Sequence, residues 1–239
     1  MNGRSDFQTR NRLLGALPAS DYGLLQGNLK EVGLEPGAVL QDQGGRIHYV
    51  YFPLSGMISL LSVMRDGRAV ETTAFGRDGT LGASYGLGAS HSFSRAMVQI
   101  PGRAARIAAP HFQRALKDSE RLRDLIVRYK EVRLAQAQQA AACNALHGAE
   151  ARLSRWLLQT SDIIGGDIVP LTQEYLSQML GVRRTTVTAI ARALQRTGMI
   201  HYARGRIEIS DREKLKKFAC ECYEVLCGQS GQIVLRPKR

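Results

Sequence analysis

The sequence predicts an α+β chain in three parts: an N-terminal antiparallel β-roll, a long helix, and a C-terminal winged helix-turn-helix. Three observations carry this. Between Leu34 and Ile107, apolar and β-branched runs of three to seven residues alternate with Gly- and Pro-containing turn signals. From Leu122 to Leu146, side chains recur at three- and four-residue spacing. Two short amphipathic runs then flank Gly181-Val182 within Leu171–Ile200. The expected parts are a roll with preceding helices over 1–117, a long helix over 118–147, a winged helix-turn-helix over 148–227 and a loose basic tail over 228–239.

At 239 residues the chain can bury one large core or two smaller ones. Its hydrophobic content of 44% and charged content of 23% are ordinary for a globular protein. A net charge of +12 is not, and it favours polyanions, nucleic acid above all, although a basic membrane-surface protein would share it. No apolar run approaches the ~20 residues of a membrane span, and the first residues carry no apolar stretch of signal-peptide length. Four cysteines, Cys143, Cys220, Cys222 and Cys227, are too few and too clustered for a disulfide scaffold. A cytoplasmic protein is expected, without a membrane partner.

In chain order, Met1–Arg12 reads as a polar, mobile arm, and Leu13–Val32 as short helical pieces with start signals at Pro18 and Ser20-Asp21. The strand-like runs are VYF, MISLLSV, AVETTAF, AMVQI and AARIA, with Asp66-Gly67 as a hairpin turn between the second and third. Strands this short and this regularly spaced imply an antiparallel roll, barrel or sandwich. Pro110 opens a helical region reaching Leu146, capped in its long part by Asp118 or Ser119. Its seam is Leu122, Leu125, Tyr129, Val132, Gln136, Gln139 and Cys143. That spacing suits a dimer seam and equally suits a helix packed on its own β-domain. Ile126, Val127 and Leu134 supply a second apolar face. Ala149–Thr160 is amphipathic, with Leu153, Trp156 and Leu157 inward and Arg152 and Arg155 outward, and a loop follows at Asp162–Asp167.

The stretch LTQEYLSQMLGVRRTTVTAIARALQRTGMI carries the functional signal. Leu176, Met179 and Leu180 share one helical face, as do Val187, Ile190, Ala191 and Leu194. The second helix opens with Arg183, Arg184, Thr185 and Thr186, and Thr188 follows one turn later. These side chains suit phosphates and base edges, and they stand where a recognition helix enters the major groove. Thr197-Gly198 ends the helix. Two β-prone runs around Ala203-Arg204-Gly205 then read as a wing, and Ser210-Asp211 caps a last helix to about Leu226. Between Ala151 and Lys217 there are 12 Lys/Arg against 6 Asp/Glu, a net of +6. Half the excess charge thus overlaps the motif.

This order of parts resembles the Crp/Fnr family of bacterial transcription regulators across nearly the full chain, most specifically in Leu171–Ile209. The resemblance implies a cyclic-nucleotide-binding-like roll and a homodimer gripping palindromic duplex DNA, with RNA polymerase a partner if the chain activates transcription. By position, Arg184 matches the family's guanine-reading Arg, which can bond O6 and N7 together, and Thr185 and Thr188 match positions facing base edges. Thr172, Gln173, Arg183 and Thr186 stand where phosphates are contacted, Arg192 lies on a face that reaches the backbone, and Arg204 and Arg206 sit in the wing. Where the family's cyclic-AMP-responsive founding member has a second base-reading Arg, this chain has Ala189, so a different half-site is expected.

The effector half departs from the pattern. The family's Gly-Glu-Leu ribose segment becomes Gly79-Thr80-Leu81, without the carboxylate, and its Arg-Ser-Ala phosphate segment becomes Ser94-Arg95-Ala96. A one-residue shift turns a strand side chain to the opposite face. These five residues, Gly79, Thr80, Leu81, Ser94 and Arg95, mark the candidate effector pocket, and cyclic AMP is not expected in it. No cysteine precedes Cys143, so an iron-sulfur cluster of the Fnr type is not expected. Cys220 and Cys227 share a helical face while Cys222 projects elsewhere, with no His nearby in sequence, and no metal site or other cofactor is expected. Cys143 on the seam suggests an inter-subunit redox contact. Nucleophile elbow, Walker loop and metalloprotease patterns are all missing, so the chain does not read as an enzyme. The competing reading is a small-molecule-binding module whose basic region meets RNA or membrane.

Overall fold

A computed structural model describes residues 6–232. Three helices open the chain: α1 (Asp6–Arg10), α2 (Arg12–Gly15) and α3 (Ala19–Gln26). The strands β1 (Lys30–Leu34), β2 (Val39–Gln41), β3 (Tyr49–Pro53), β4 (Met57–Val63), β5 (Ala69–Phe75), β6 (Arg95–Ile100) and β7 (Gly102–Ala108) follow, with a 3-10 turn at Ala83–Leu87. Next come α4 (Ala109–Asp118), α5 (Glu120–Leu146), α6 (Ala149–Ile164) and β8 (Ile168–Val169). The last elements are α7 (Gln173–Leu180), α8 (Arg184–Arg196), β9 (Ile200–Ala203), β10 (Arg206–Ile209), α9 (Arg212–Phe218) and α10 (Cys222–Gln232).

The first seven strands form two antiparallel sheets, β1-β7-β3 and β2-β6-β4-β5. Strand alternation assigns the residues to layers. Tyr51 and Ala104 of one sheet meet Ile58, Phe75 and Val98 of the other. Val50, Phe52 and Ile107 turn the other way, onto the opening helices, α4 and α5. Met57, Leu61 and Ile100 leave the second sheet on its far side and join the core of the C-terminal part, among Trp156, Met179 and Leu180. The order is therefore helices, sheet, sheet, helix-turn-helix.

All five strand-like runs form strands, and Asp66-Gly67 closes the β4–β5 hairpin, with Gly67 at φ +85° donating to the Met64 carbonyl at 3.0 Å. Strands β1 and β2 were not expected. Lys30–Val32 belongs to β1 rather than to a helix; β1 is half-exposed and pairs along β7 alone, so it lacks the apolar alternation that marks a strand.

The mobile arm is corrected as well. Asn11 is fully buried; its side-chain oxygen caps α2 and its amide donates to the carbonyls of Pro53 at 2.9 Å and Gly79 at 3.1 Å. Phe7 packs against the same core, so the chain is held from there onward, while residues 1–5 lie outside the described part.

Ser119 caps α5, accepting from the Leu122 amide at 3.0 Å. At 27 residues the helix spans roughly 40 Å. Helix α6 continues through the expected loop to Ile164. The single last helix is two, because Ala219 leaves helical geometry at ψ 153°. Residues Gly228–Gln232, expected in the loose tail, complete α10, where Gln136 of α5 donates to the Ser230 hydroxyl at 2.9 Å. The rest of the expected tail, 233–239, lies outside the described residues.

Candidate nucleic-acid interface

Helix α7 starts at the Thr172 cap, whose hydroxyl accepts from the Tyr175 amide. It ends at Gly181, φ +63°, where the Val182 amide donates to the Ser177 carbonyl at 3.1 Å and the Gly181 amide to the Gln178 carbonyl at 3.3 Å. This is a Schellman ending, and its left-handed position explains the glycine. Leu176, Met179 and Leu180 of α7 and Val187, Ile190, Ala191 and Leu194 of α8 are buried together.

The opposite face of α8 is open. Arg183, Arg184, Thr185, Thr186, Ala189 and Arg192 are exposed. Among the described residues none of Arg183, Arg184, Arg192, Arg204 and Arg206 forms an ion pair, whereas Arg133 and Arg212 do. The first turn of α8 has no acidic residue. Arg183 and Arg184 thus add charge to an already positive helix end, an arrangement that disfavours the isolated helix and favours a bound anion. Thr188 differs from its neighbours: its hydroxyl lies 2.8 Å from Gln173 Oε1 and 3.0 Å from the Arg184 carbonyl, tying α7 to α8.

Behind α8, β9 and β10 form a hairpin, and β10 also pairs with β8, a strand not expected from the short Ile168-Val169 step. Its turn is Arg204-Gly205, with φ of +49° and +72°. Two positive φ values in a two-residue loop define a type I′ turn. Arg204 and Arg206 are exposed there.

Residues 151–218 match the family model of the Crp-like helix-turn-helix domain. The C-terminal part is a Crp-like helix-turn-helix. Over most of the chain the fold is that of the Crp/Fnr regulators. A Crp/Fnr-family regulator from Eubacterium rectale superposes with a TM-score of 0.69 at 19% identity, covering 88% of this chain and 98% of that one. FixK2 from Bradyrhizobium japonicum gives 0.70 at 14% identity, over 80% and 98% of the two chains. The c-di-GMP-responsive global regulator CLP of Xanthomonas campestris gives 0.67 at 16% identity, over 81% and 100%. No curated protein matches the sequence. Among the described residues no helix is long and apolar enough to cross a membrane.

Within this Crp/Fnr-like fold the expected dimer seam is corrected. Leu122, Leu125 and Tyr129 are buried in the chain's own helical layer, with Val132 packed against them. Gln136 and Gln139 hold α10, and Cys143 meets Cys220 in the link before it. The regular spacing records packing inside one chain, and the side of α5 left open carries Val127, Leu134, Ala141 and Ala142.

The five residues of the candidate effector pocket are also engaged internally. The Tyr129 hydroxyl donates to the Thr80 carbonyl at 2.8 Å and accepts from the Thr80 amide at 3.1 Å. The Thr80 hydroxyl donates to Tyr51, Leu81 pairs with Tyr51, and a side chain at Gly79 would collide with Phe75. Ser94 closes a local turn with Ser92, and Arg95 forms a two-pronged pair with Asp42 at 2.9 and 3.0 Å. None of the five lines a cavity of about 470 Å³ that opens between β5, α5, α6 and α10.

That cavity is bordered by Asp78 and Arg133, paired at 2.8 Å, and by Glu71, which accepts from the Trp156 indole at 2.8 Å and the Ser59 hydroxyl at 2.6 Å. Burial opposes the Asp78 charge, but Arg133 and the Gly76 amide outweigh it and lower the carboxyl below its ordinary range. Burial prevails at Glu71 and raises it, despite the bonds from Ser59 and Trp156.

Two further corrections concern α6 and the cysteines. Arg152 and Arg155 are not outward: each is 8% exposed. The Arg152 guanidinium donates to the Leu180 carbonyl at the end of α7, and that of Arg155 to Gln159. Cys220 lies in the extended link before α10, so it converges with Cys222 rather than sharing a face with Cys227, which stands apart beside Asp162. Helix α5 brings Cys143 and His147 to the same place. Cys143 is therefore enclosed within its own chain and does not stand on an exposed seam. Burial opposes ionisation of its thiol, but His147 and the charge of Arg155 lower it. Cys220, buried and beside Cys143, is pushed up to about 12. Sequence spacing held one half of this signal, Cys143 and His147 one helical turn apart.

Proposed function

We propose that the chain is a sequence-specific DNA-binding transcription regulator acting as a homodimer on a palindromic site. The observation that carries this reading is the outer face of α8, where arginines with no ion pair among the described residues and short hydroxyl side chains stand on a helix fixed from behind by a buried face. In this reading Arg184 bonds a guanine, Thr185 and Thr188 face base edges, and Thr172, Gln173, Arg183 and Thr186 meet phosphates. Arg192, Arg204 and Arg206 reach the flanking backbone. Two copies join along the open side of α5 through Val127 and Leu134, which are 42% and 54% exposed. The protein works in the cytoplasm, without a membrane partner, and contacts RNA polymerase if it activates. Its effector is not cyclic AMP, and catalysis is not part of its role.

Selection of bound duplexes from a random pool by the purified full chain tests the reading. Recovery of a palindrome with half-sites ~10–11 bp apart is expected. Recovery of sequence-independent duplexes, or tighter binding to single-stranded RNA or anionic vesicles, would overturn it.

A further inference from the structure

The side chains of Cys143, His147, Cys220 and Cys222 present four donor atoms that all lie within 4.8 Å of one another. The three cysteines are buried and His147 is half-buried. They come from two places far apart in sequence. Cys143 lies in the last turn of α5 and His147 is its C-cap, and Cys220 and Cys222 bracket the start of α10. The Cys143 and Cys220 sulfurs are 3.5 Å apart, and Cys222 Sγ lies 3.6 Å from His147 Nδ1.

We infer that these four side chains form a site for a single thiophilic divalent cation, with zinc as the ion of choice. Tetrahedral zinc at ~2.3 Å from sulfur and ~2.05 Å from nitrogen places its ligands about 3.8 Å apart for two sulfurs and about 3.6 Å for sulfur and nitrogen. The two separations above are close to those edges. Donors this close fit one ion and leave no room for several metals between them. With four protein ligands the shell is closed, so the site is structural and has no open position for catalysis.

The surroundings match what such a site requires. The far ring nitrogen of His147, Nε2, lies 3.2 Å from the Glu221 carboxylate, which leaves Nδ1 to face the sulfurs. The Gln139 amide donates to Cys222 Sγ at 3.0 Å. Three thiolates and a divalent ion leave one net negative charge. Each thiol proton is released to solvent on binding. The ion would fasten the end of α5 to α10 across 77 residues and fix the His147-Gly148 joint from which α6 departs.

Elemental analysis of the full chain, purified under reducing conditions, tests this without reference to DNA. One zinc per chain is expected. Exchange for cobalt should give the intense visible bands of tetrahedral coordination together with sulfur-to-cobalt charge transfer. Cys220→Ser and Cys222→Ser should lose metal, Cys227→Ser should keep it, and Glu221→Gln should weaken affinity 10–100-fold as a positioning residue. Circular dichroism shows whether each variant is folded, and His147→Gln, at the half-buried position, should fold and bind more weakly with an altered cobalt spectrum. Another thiophilic ion at one per chain, held by the same four residues, supports the site. A folded parent chain that holds no metal and takes up no cobalt, a Cys143–Cys220 disulfide in its place, or equal loss in Cys227→Ser would overturn it.

Discussion

Arginines on α5 and α6 and arginines on α8 meet opposite surroundings. Arg133, Arg152 and Arg155 are withdrawn from solvent and bonded to Asp78, the Leu180 carbonyl and Gln159. Arg183, Arg184 and Arg192 are exposed, with no ion pair among the described residues. A guanidinium that has already exchanged water for protein partners holds structure together, and removing its partner leaves a buried charge. One that keeps its hydration and its counterions can release them to a phosphate at little cost to the fold. In the function proposed above, the same residue type therefore serves stability in one region and recognition in the other.

The largest expected effect lies in the buried group. Asp78→Ala strips Arg133 of its carboxylate where the two side chains are 18% and 11% exposed. A loss of about 3–5 kcal/mol in urea unfolding is expected. A loss below about 1 kcal/mol would show that Arg133 finds another partner and would weaken the contrast. Arg184→Ala should do the reverse. Its effect on unfolding should stay within about 0.5 kcal/mol, while binding to the selected duplex falls by about 1–3 kcal/mol per half-site and preference relaxes at one base pair. Uniform weakening on all sequences would make Arg184 a phosphate contact instead.

A smaller effect separates the two half-buried carboxylates. Glu71 has its carboxyl raised above the ordinary 4.5, first by burial. Stability from such a group is fully present below its unfolded value and is lost as pH rises through the folded one. Asp78 is lowered, so its stability is present above the unfolded value and lost as pH falls through the folded one. Glu71→Gln keeps an oxygen for Trp156 and offers an amide to Ser59, without a charge to bury. It should be more stable than the parent by about 1 kcal/mol at neutral pH, or about 2–4 °C in Tm. The gain should shrink toward pH 4, and a gain that does not change with pH would refute the assignment.

What could be read from the sequence follows the range of the interactions. The α7-turn-α8 unit is local, so the spacing of Leu176, Met179, Val187, Ile190 and Leu194 and the glycine at the turn specify it within thirty residues or so. The roll was legible for the same reason, except at β1 and β2, which are short or half-exposed edges. The seam on α5 shows the limit. Three- and four-residue spacing states that Leu122, Leu125 and Tyr129 are covered, yet says nothing of what covers them, and the cover proved to be the chain's own helices. The Cys/His cluster is further out of reach, since it depends on α10 returning to α5 and on the break at Ala219 that turns Cys220 toward Cys222. The sequence alone places Arg152 and Arg155 outward because charge normally is solvated; the carbonyl at the end of α7 and the Gln159 side chain that receive them are features of the assembled fold.

The wing gives the smallest test and combines both sides of the comparison in one residue. Arg204 is exposed and cationic like those of α8, yet its backbone stands at φ +49°, the only positive-φ residue described here that is not glycine. The left-handed region costs an L side chain roughly 1 kcal/mol, which glycine avoids. Glycine also brings more unfolded-state freedom, which offsets part of the gain. Arg204→Gly should therefore raise stability by a few tenths of a kcal/mol, and by no more than about 1. If the wing lies along the DNA backbone, the same substitution should weaken binding equally for all sequences and reduce the salt slope by about 1. A gain in stability with an unchanged salt slope would remove the wing from the interface while leaving α8 in it. A loss of stability would mean that the Arg204 side chain holds the turn, and would place it with the structural arginines of α5 and α6.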